Sequence, residues 1–404
     1  MESIFSTNVA SRMQLPRINF KATSTYLGGS VSGDFAENPT VTQAILRVLC
    51  IYSFIKRAFS SRFRPGVVRM RTHRARFYSA MWRGAADAIG ACYARLPGDG
   101  EQISKEGLRL QVFQNKTSLE DPAAVARASD KLVVHDLLAH NGIAVARQTI
   151  VKIGEIGKAL DILKTSALPL VVKPAANTGA GAGVSTCVRT PRQLLTAIAW
   201  ARAYGPRILI ERQIPGSCYR ILVMDGEVLD TVIRLPPSVR GDGFSTVRQL
   251  VRHENRLRRR LGASRGQVLV RIDPDLRNTI ANQGFTLDSQ PLVGEVVLLK
   301  HVVNDNGTAE NVSANDCLCA AIVQSARTAA QLVGTRLAGV DIICQDPRIP
   351  LESSGGAIIE VNANPGLYYH YHPAELGFPM AVEVLRRYFD RPALPRTHTM
   401  AAAI

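Results

Sequence analysis

The stretch Ala357-Ile-Ile-Glu360-Val-Asn362-Ala-Asn-Pro-Gly366 decides the fold prediction for this chain. It has the pattern of an apolar strand that carries a carboxylate and a carboxamide two residues apart. Side chains at positions i and i+2 of a strand point to the same face. Glu360 and Asn362 would therefore present two hard oxygen ligands side by side, the type that suits Mg²⁺ held between a protein and phosphate oxygens. The alternative is a polar strand end beside a Pro-Gly turn.

A second apolar segment, upstream of this stretch, carries one more oxygen ligand. Leu337-Ala-Gly-Val-Asp341-Ile-Ile-Cys344 is typical of a neighbouring strand with a lone aspartate. Hard cations take oxygen ligands from carboxylates and carboxamides. Asp341, Glu360 and Asn362 on adjacent strands thus predict a site for a metal ion and a phosphate.

The composition indicates a globular protein of two or three compact units, with 404 residues of which 46% are hydrophobic and 20% charged. Its seven cysteines are scattered, odd in number and without paired C-x-x-C spacing. This pattern argues against a disulfide framework and against a zinc site, and it favours a reducing, cytoplasmic location. Cys317 and Cys319 are predicted to lie in a helix and to serve packing.

The net charge of +16 is unevenly distributed. Residues 1–80 hold twelve Lys and Arg residues against only Glu2, Asp34 and Glu37. The basic run from Arg62 to Arg76 could contact nucleic acid, anionic lipid or an acidic substrate. A solvated basic arm is the preferred interpretation, and nucleic acid is not an expected partner.

Residues 42–59 (TQAILRVLCIYSFIKRAF) are apolar but interrupted by Arg47 and closed by two cations. The segment is too short and too charged to predict a membrane span. It could form an amphipathic helix that makes peripheral contact with a membrane, or a helix docked on the main body. An Arg-rich, acid-poor N-terminus also resembles an organellar transit peptide.

From Arg76 onward the sequence is typical of a folded domain. Residues 77–96 have helical spacing and end before a Pro-Gly pair, and residues 107–113 alternate like a strand. Asp121-Pro122 predicts a helix start, with Asp at the N-cap and Pro at the first helical position. That helical region is expected to run to Asn141-Gly142, a pair typical of a helix C-terminus.

A second group of chemically informative residues begins with the apolar strand pattern Pro169-Leu-Val-Val-Lys173-Pro174, which ends in a lysine. Directly after it comes the glycine-rich segment Asn177-Thr-Gly179-Ala-Gly181-Ala-Gly183. Such a loop frees backbone N–H groups to surround phosphate oxygens, because no Cβ blocks the approach. The spacing matches neither the P-loop nor the dinucleotide-binding fingerprint, so a flexible turn stays an alternative.

A third segment, Glu211-Arg212-Gln213-Ile214-Pro-Gly216, is typical of a strand that runs into a turn. Exposed backbone groups at such a junction could bind the edge of an adenine ring.

In their order and spacing, these segments resemble the ATP-grasp superfamily. Three further stretches resemble the ATP-grasp domain of cyanophycin synthetases and of glutathione-synthetase-like ligases. They are residues 240–248 (RGDGFSTVR), 283–289 (QGFTLDS) and 355–367 (GGAIIEVNANPGL). The resemblance covers about residues 120–390.

The resemblance implies ATP and Mg²⁺ as cofactors, with Mn²⁺ as a second candidate ion. Lys131 and Lys173 match the two lysines that contact ATP phosphates. The resemblance also implies a flap over the phosphates, formed by Asn177, Gly179, Gly181 and Gly183, and an adenine-binding hinge, formed by Glu211, Arg212, Gln213 and Ile214. It implies three metal ligands, Asp341, Glu360 and Asn362. Two catalytic cations near the transferred phosphoryl group are implied as well, Arg220 and Lys300.

The implied fold is α/β, with two α+β lobes that clamp ATP. The expected organisation is a basic arm at 1–75, a pre-ATP-grasp region at 76–120, the ATP-grasp domain at 121–390 and a tail at 391–404. The implied activity is ATP-dependent ligation of a small-molecule or peptide carboxylate to an amine through an acyl phosphate, and a homo-oligomer is compatible with it. The rivals are a carboxylate–thiol ligase and a nucleotide-binding protein without ligase activity.

The chain departs from the family pattern in three places. Cys218 replaces the acidic residue that holds the ribose hydroxyls in relatives, and a thiol is a poor acceptor. Tyr368-Tyr369-His370 replaces Arg-Met-His, and the Mur-ligase-like domain of cyanophycin synthetases has no counterpart, so the cyanophycin reaction itself is not implied. His370 and His372 fit either a metal pair or a substrate-facing loop.

Overall fold

The computed structural model describes residues 39–62, 65–98, 100–176, 178, 181–261, 269–303, 311–371 and 379–390. The helices within these ranges are α1 (Pro39–Arg62), α2 (Pro65–Ala88), α3 (Pro122–Ser129), α4 (Lys131–His140), α5 (Ile156–Thr165), α6 (Pro191–Arg202), α7 (Val247–Leu261), α8 (Pro274–Ala281), α9 (Ala320–Val333), α10 (Leu351–Ser354) and α11 (Pro379–Phe389).

The strands are short and belong to four sheets. They are β1 (Cys92–Arg95), β2 (Glu101–Lys105), β3 (Leu108–Phe113), β4 (Lys116–Thr117), β5 (Gln148–Val151), β6 (Leu170–Pro174), β7 (Ser185–Val188), β8 (Ile208–Arg212), β9 (Ser217–Met224), β10 (Glu227–Arg234), β11 (Ser238–Arg240), β12 (Val296–Leu298), β13 (Asn311–Ser313), β14 (Leu337–Cys344) and β15 (Ala357–Ala363). The mixed α/β class is as predicted.

The largest sheet has five strands in the order β13-β10-β9-β14-β15, and its neighbouring strands run antiparallel. One face packs against α4 and α9, where Ile221, Val340 and Ile342 are fully buried in a shared core. Strand side chains alternate between faces, so Arg220 and Asp341 belong to the other face. The two strand predictions for residues 337–344 and 357–363 are confirmed.

A smaller sheet has four strands in the order β5-β8-β6-β7. Its core is covered by α5 and α6, and α1 also packs on α6. Between the two sheets the chain turns at Gly216, which has a φ of +126°. A Cβ at this position would lie 2.2 Å from the carbonyl oxygen of Cys344, so glycine is required where the turn meets β14.

A third, four-stranded sheet (β1-β2-β3-β4) packs with α2 and α11 in a separate core. It also holds the turn that follows β15. The backbone N–H and the hydroxyl of Thr117 both donate to Asn364 Oδ1 at 2.9 Å, and Asn115 Nδ2 donates to the Asn364 carbonyl oxygen at 2.8 Å. The region before the main lobes therefore fixes the chain directly after Asn362.

Several local predictions are corrected by the structure. The helix predicted for 77–96 ends at Ala88 and is followed by β1, because Gly90, with φ +66°, turns the chain. Helix α2 begins at Pro65 and is continuous through residues 75 and 76, so the boundary placed there by composition falls inside a helix. Cys317 and Cys319 lie before α9, with Cys319 at its N-cap position, and are not in a helix.

The helical region after Asp121 is divided in two. Asp121 caps α3 by accepting from the backbone N–H groups of Ala123 and Ala124, which confirms the predicted start. Asp130 then ends α3 and caps α4, where it accepts from the Leu132 N–H at 3.0 Å. This break matters for the site, because it places Lys131 at the first position of a new helix.

Candidate active site

Three adjacent strands of the five-stranded sheet build a buried charged centre. In the strand register, Asp341 of β14 lies directly opposite Arg220 of β9 on one side and Glu360 of β15 on the other. The guanidinium of Arg220 donates to both carboxylate oxygens of Asp341, from Nη2 to Oδ2 at 2.6 Å and from Nε to Oδ1. Burial by itself would raise the pKa of Asp341, but Arg220 and then Arg234 hold it below its ordinary value. Asp341 is therefore an anion in the folded protein.

Asn362 completes the oxygen set predicted from the sequence. Its Nδ2 donates to the Gly339 carbonyl oxygen at 3.3 Å and lies 3.4 Å from Asp341 Oδ2, which leaves Oδ1 as its acceptor atom. Gly339 itself permits the close approach, because a Cβ there would lie 2.9 Å from Arg220 Nη1. Asp341, Glu360 and Asn362 thus share one face of the sheet, as their spacing predicts.

Lys131 reaches this centre from the start of α4. Its Nζ lies 2.5 Å from Glu360 Oε1. Burial lowers the pKa of Lys131, but the charge of Glu360 outweighs this effect and the net shift is upward. For Glu360, burial would raise the pKa, and Lys131 lowers it below the ordinary value. Both groups are therefore charged at neutral pH.

The four-stranded sheet presents a second ion pair. Lys173 of β6 and Glu211 of β8 lie 2.6 Å apart, with side chains 7% and 6% exposed. Their strands pair so that the two residues are diagonal neighbours on one face, and Gln148 of β5 lies directly opposite Glu211. Gln148 Nε2 is buried without a hydrogen-bond partner. A buried donor without a partner is costly, so this amide is a candidate contact for a ligand.

A narrow cleft lies between the two sheets. It brings together Lys131, Lys173, Glu211 and Glu360, along with Gln148. The rest of its lining is largely apolar, from α4 and β15. A cleft with apolar walls and a few convergent polar groups is typical of a small-molecule site.

The predicted hinge, residues 211–214, begins in the last two residues of β8 and continues beyond the strand. Arg212 is exposed and Ile214 is half-buried. Gln213 is tied to the body of the lobe, because its N–H donates to the Pro169 carbonyl oxygen and its Oε1 accepts from the Cys187 N–H, both at 2.8 Å. The backbone N–H of Gln213 is therefore already used within the protein.

The glycine-rich segment is only partly described, since Asn177 and Gly179 lie outside the described residues. Gly181 and Gly183 line a second cavity of about 290 Å³ together with Lys300. Lys300 Nζ lies 2.6 Å from Asp273 Oδ2, and both side chains are buried. The structure therefore groups Lys300 with the glycine segment, whereas Arg220 belongs to the centre on the five-stranded sheet.

Sequence reasoning missed Arg234 and Asp275. Arg234 Nη1 lies 3.6 Å from Asp341 Oδ1, and its guanidinium lies 4.2 Å from the centre of the Tyr369 ring. It lies near the end of a largely apolar strand as Lys173 does, and that pattern could have identified it.

Asp275 accepts from the backbone N–H and the hydroxyl of Thr186 at 2.8 and 2.6 Å, and burial raises its pKa to about 6. No sequence pattern marks this contact across 89 positions.

The metal-pair alternative for the two histidines is not supported. His370 is buried, and its Nδ1 lies 2.7 Å from Asp230 Oδ2. Burial lowers the pKa of His370 and keeps the ring neutral. His372 lies outside the described residues, and across the described ranges no group of three or more His, Cys, Asp or Glu side chains could hold a metal ion.

The oxygen set of Asp341, Glu360 and Asn362 fits a hard divalent cation in its chemistry. It offers two carboxylates and one carboxamide oxygen, which are the ligands that Mg²⁺ accepts beside phosphate oxygens. The cations Arg220 and Lys131 already neutralise the two carboxylates. A magnesium ion would therefore bind together with an anionic ligand that takes over Lys131, while Arg220 keeps its hydrogen bonds to Asp341.

Cys218 lies on β9 at the end nearest the hinge. Burial raises the pKa of its thiol to about 12, so the group stays neutral and accepts hydrogen bonds poorly. Cys218 therefore supplies no negative charge at the position where the family resemblance leads us to expect an acidic residue.

Several known proteins are similar to parts of this chain. Residues 137–240 match the family described as D-ala D-ala ligase C-terminus. Cyanophycin synthetase of Nostoc sp. is 31% identical over 261 residues, which are 64% of this chain and 28% of that protein. The glutathione biosynthesis bifunctional protein GshAB of Listeria innocua is 29% identical over 263 residues, 64% of this chain and 34% of that protein. The chain thus spans about a third or less of these relatives.

Among solved structures, a bifunctional glutathione synthetase from Pasteurella multocida overlaps 74% of this chain and 41% of its own, with a TM-score of 0.47 and 21% identity. The sequence matches confirm the resemblance that the motifs indicated.

Proposed function

We propose that this chain belongs to the ATP-grasp carboxylate–amine ligases and joins a carboxylate to an amine at the expense of ATP. The substrates are small molecules or peptides that carry these groups. The convergence of Lys131, Lys173, Glu211 and Glu360 on one cleft is the observation that supports this function best.

The chemistry requires activation of the acid. A carboxylate does not react with an amine under mild conditions, because its oxygen is a poor leaving group. In the proposed reaction the substrate carboxylate attacks the γ-phosphorus of ATP and becomes an acyl phosphate, and the amine then displaces phosphate. Positioning and neutralisation of charge account for most of such catalysis.

The residues of the chain supply these effects in a defined arrangement. Lys131 and Lys173 would bind phosphate oxygens in place of their carboxylate partners. Asp341, Glu360 and Asn362 would hold Mg²⁺, which neutralises the charge on the transferred phosphoryl group. Arg220 is fixed by two hydrogen bonds before any ligand binds, so no reorganisation is needed when charge develops.

The glycine segment and Lys300 would close over the phosphates from the smaller sheet. An acyl phosphate hydrolyses in open water, and a closing loop excludes that water. The hinge at 211–214 would hold the adenine ring. Because Cys218 cannot replace a carboxylate at the ribose, we expect weaker discrimination at the sugar than in relatives with an acid there.

Phosphate release from Mg-ATP, measured across a panel of amino acids and short peptides, tests this function. The expected result is release that depends on both an acid and an amine, with a new amide detected by mass spectrometry. Thiol acceptors in the same panel separate amide formation from thioester formation. Hydrolysis of ATP that no pair of substrates stimulates would contradict the proposal.

We infer a reducing, cytoplasmic location for this ligase. All seven cysteines are free, which agrees with the proposed cytoplasmic location.

A further inference from the structure

Helix α1 has two apolar faces, and only one of them is covered. Leu46 is fully buried in the core around α6, with Leu49 and Cys50 partly buried beside it. At 100° per residue, the exposed side chains of Val48, Ile51, Tyr52 and Ile55 fall within one arc of about 100° on the opposite side. They are 66%, 63%, 61% and 48% exposed. We call these four residues the outer stripe.

The orientation of α1 is fixed by its C-terminal half. Arg57 Nη1 donates to the carbonyl oxygen of Ala203, and the guanidinium lies 4.5 Å from the centre of the Tyr204 ring. Lys56 Nζ lies 5.8 Å from the centre of the Trp200 ring. These contacts hold the inner face of α1 against α6. The outer stripe is therefore exposed while the helix is docked on the protein. Of the two alternatives for this segment, the helix docked on the main body is confirmed.

The chain segment that carries the stripe has charges of a single sign. Residues 38–86 contain ten Lys and Arg residues and no Asp or Glu. Arg47 is exposed and borders the stripe. A surface that combines aliphatic side chains with surrounding cations is complementary to a bilayer with anionic headgroups.

Other occupants fit less well. A second copy of α1 would bring together two helices that each carry four cations and no carboxylate, and like charges oppose such an interface. A nucleic acid would use the cations, but it has no acyl region to cover aliphatic side chains. In the described part of the chain no helix is long and apolar enough to cross a membrane, and α1 carries Arg47, Lys56 and Arg57 within its length.

We propose that α1 is a peripheral membrane-binding helix, which lies flat on an anionic lipid surface with Val48, Ile51, Tyr52 and Ile55 at the boundary between headgroups and acyl chains. The smaller sheet, which carries Lys173, would then face the membrane side of the protein, because α6 lies between that sheet and α1.

Co-sedimentation of the full chain with vesicles tests this proposal. The vesicles contain equal parts of phosphatidylcholine and phosphatidylglycerol, with pure phosphatidylcholine as the uncharged comparison. We expect binding to the anionic vesicles alone, and a weaker interaction as salt rises, since charges are screened beyond about 8 Å at physiological ionic strength.

The paired variants I51S/I55S and L292S/V293S make the test specific. Leu292 and Val293 are 72% and 81% exposed and lie far along the chain from α1. We expect I51S/I55S to lower vesicle binding roughly tenfold or more, while L292S/V293S binds as the unmodified chain does. Circular dichroism and thermal melting check that both variants are folded.

Three results would overturn the proposal. The first is no binding of the unmodified chain to anionic vesicles. The second is equal binding of both double variants, which would show that charge alone acts, as for a nucleic acid. The third is a concentration-dependent dimer that I51S/I55S abolishes without any vesicle binding, which would identify a second copy as the occupant. None of these readouts depends on ligase activity.

Discussion

The two sheets that face the cleft hold their charged groups in different ways. On the five-stranded sheet, Arg220, Asp341 and Glu360 lie side by side across three strands in register; β9 and β14 are paired on both sides, and β15 is the edge strand. On the four-stranded sheet, a single pair, Lys173 and Glu211, lies diagonally across two strands. In the proposed function, the glycine segment after β6 and Lys300 would supply the other phosphate contacts of that lobe.

This difference indicates a division of roles between the lobes. Charges fixed by strand register need no rearrangement, which is what electrostatic stabilisation of a transition state requires. A loop at the end of a strand can instead open and close over a substrate. The larger lobe would therefore carry the chemistry, and the smaller lobe would capture and cover the nucleotide.

Removing Lys173 should have the largest effect on nucleotide binding. Lys173→Met removes the only cation of the buried pair on the smaller sheet, and we expect ATP binding, measured by calorimetry, to be lost or greatly weakened. The change also leaves Glu211 buried without its partner, which costs roughly 3–5 kcal/mol of stability.

A double variant separates these two effects. In K173M/E211Q no buried charge is left unpaired, so stability should recover while ATP binding should not. Lys158→Met, at an exposed position of α5, is the matched control. Recovery of ATP binding in the double variant would remove Lys173 from the phosphate site.

On the larger sheet, Glu360→Gln should lower turnover more than nucleotide binding. The carboxylate would hold Mg²⁺ against the transferred phosphoryl group, and loss of such stabilisation costs roughly a hundredfold or more in rate. Asp341→Asn is a less clean test, because it leaves Arg220 buried without a counter-charge. Glu352→Gln, an exposed change nearby, is the control. Normal turnover of Glu360→Gln at saturating Mg-ATP would contradict the metal assignment.

The junction between the two lobes should tolerate no side chain at Gly216. The φ of +126° and the 2.2 Å approach of a Cβ to the Cys344 carbonyl oxygen predict that Gly216→Ala lowers the free energy of unfolding by roughly 1–3 kcal/mol or more. Gly205→Ala is the control, because an added Cβ there meets nothing within 4 Å. Denaturant unfolding of both variants checks the difference, and equal stabilities would show that the turn can relax.

The smallest effect concerns the pH dependence of the smaller lobe. The folded-state pKa of Asp275, raised from 3.8 to about 6 mainly by burial, means that the folded protein holds this proton more strongly than the unfolded chain does. The contribution of Asp275 to stability therefore falls as pH rises from about 3.8 through 6. Asp275→Asn should remove that decline, as measured by thermal melting between pH 4 and 7. An unchanged pH profile would show that Asp275 is already ionised at pH 4.

Much of the larger lobe could be predicted from the sequence, because strand periodicity alone decides which side chains share a face. Glu360 and Asn362 were placed correctly for this reason, and Asp341 followed from the next strand. Register was not visible in the sequence, so the direct opposition of Arg220 and Asp341 came from the structure.

The smaller lobe was less predictable because its contacts join distant segments. The link from Asp275 to Thr186 and the pair of Lys300 with Asp273 depend on how α8 packs beside β7. The helix prediction for Cys317 and Cys319 was wrong because helical spacing continued into the turn before α9. Both residues nevertheless pack against the core, as predicted. The apolar pattern of residues 42–59 could not show which of its two faces would be covered.

Transfer of oxygen-18 from a labelled substrate to phosphate tests the proposed reaction most directly. The acid that supports phosphate release is labelled with oxygen-18 in its carboxylate, and the products formed with Mg-ATP and the amine are analysed by mass spectrometry. If the carboxylate attacks the γ-phosphorus, one labelled oxygen appears in inorganic phosphate and ADP is the nucleotide product. Unlabelled phosphate, or AMP with pyrophosphate, would contradict an acyl-phosphate ligase.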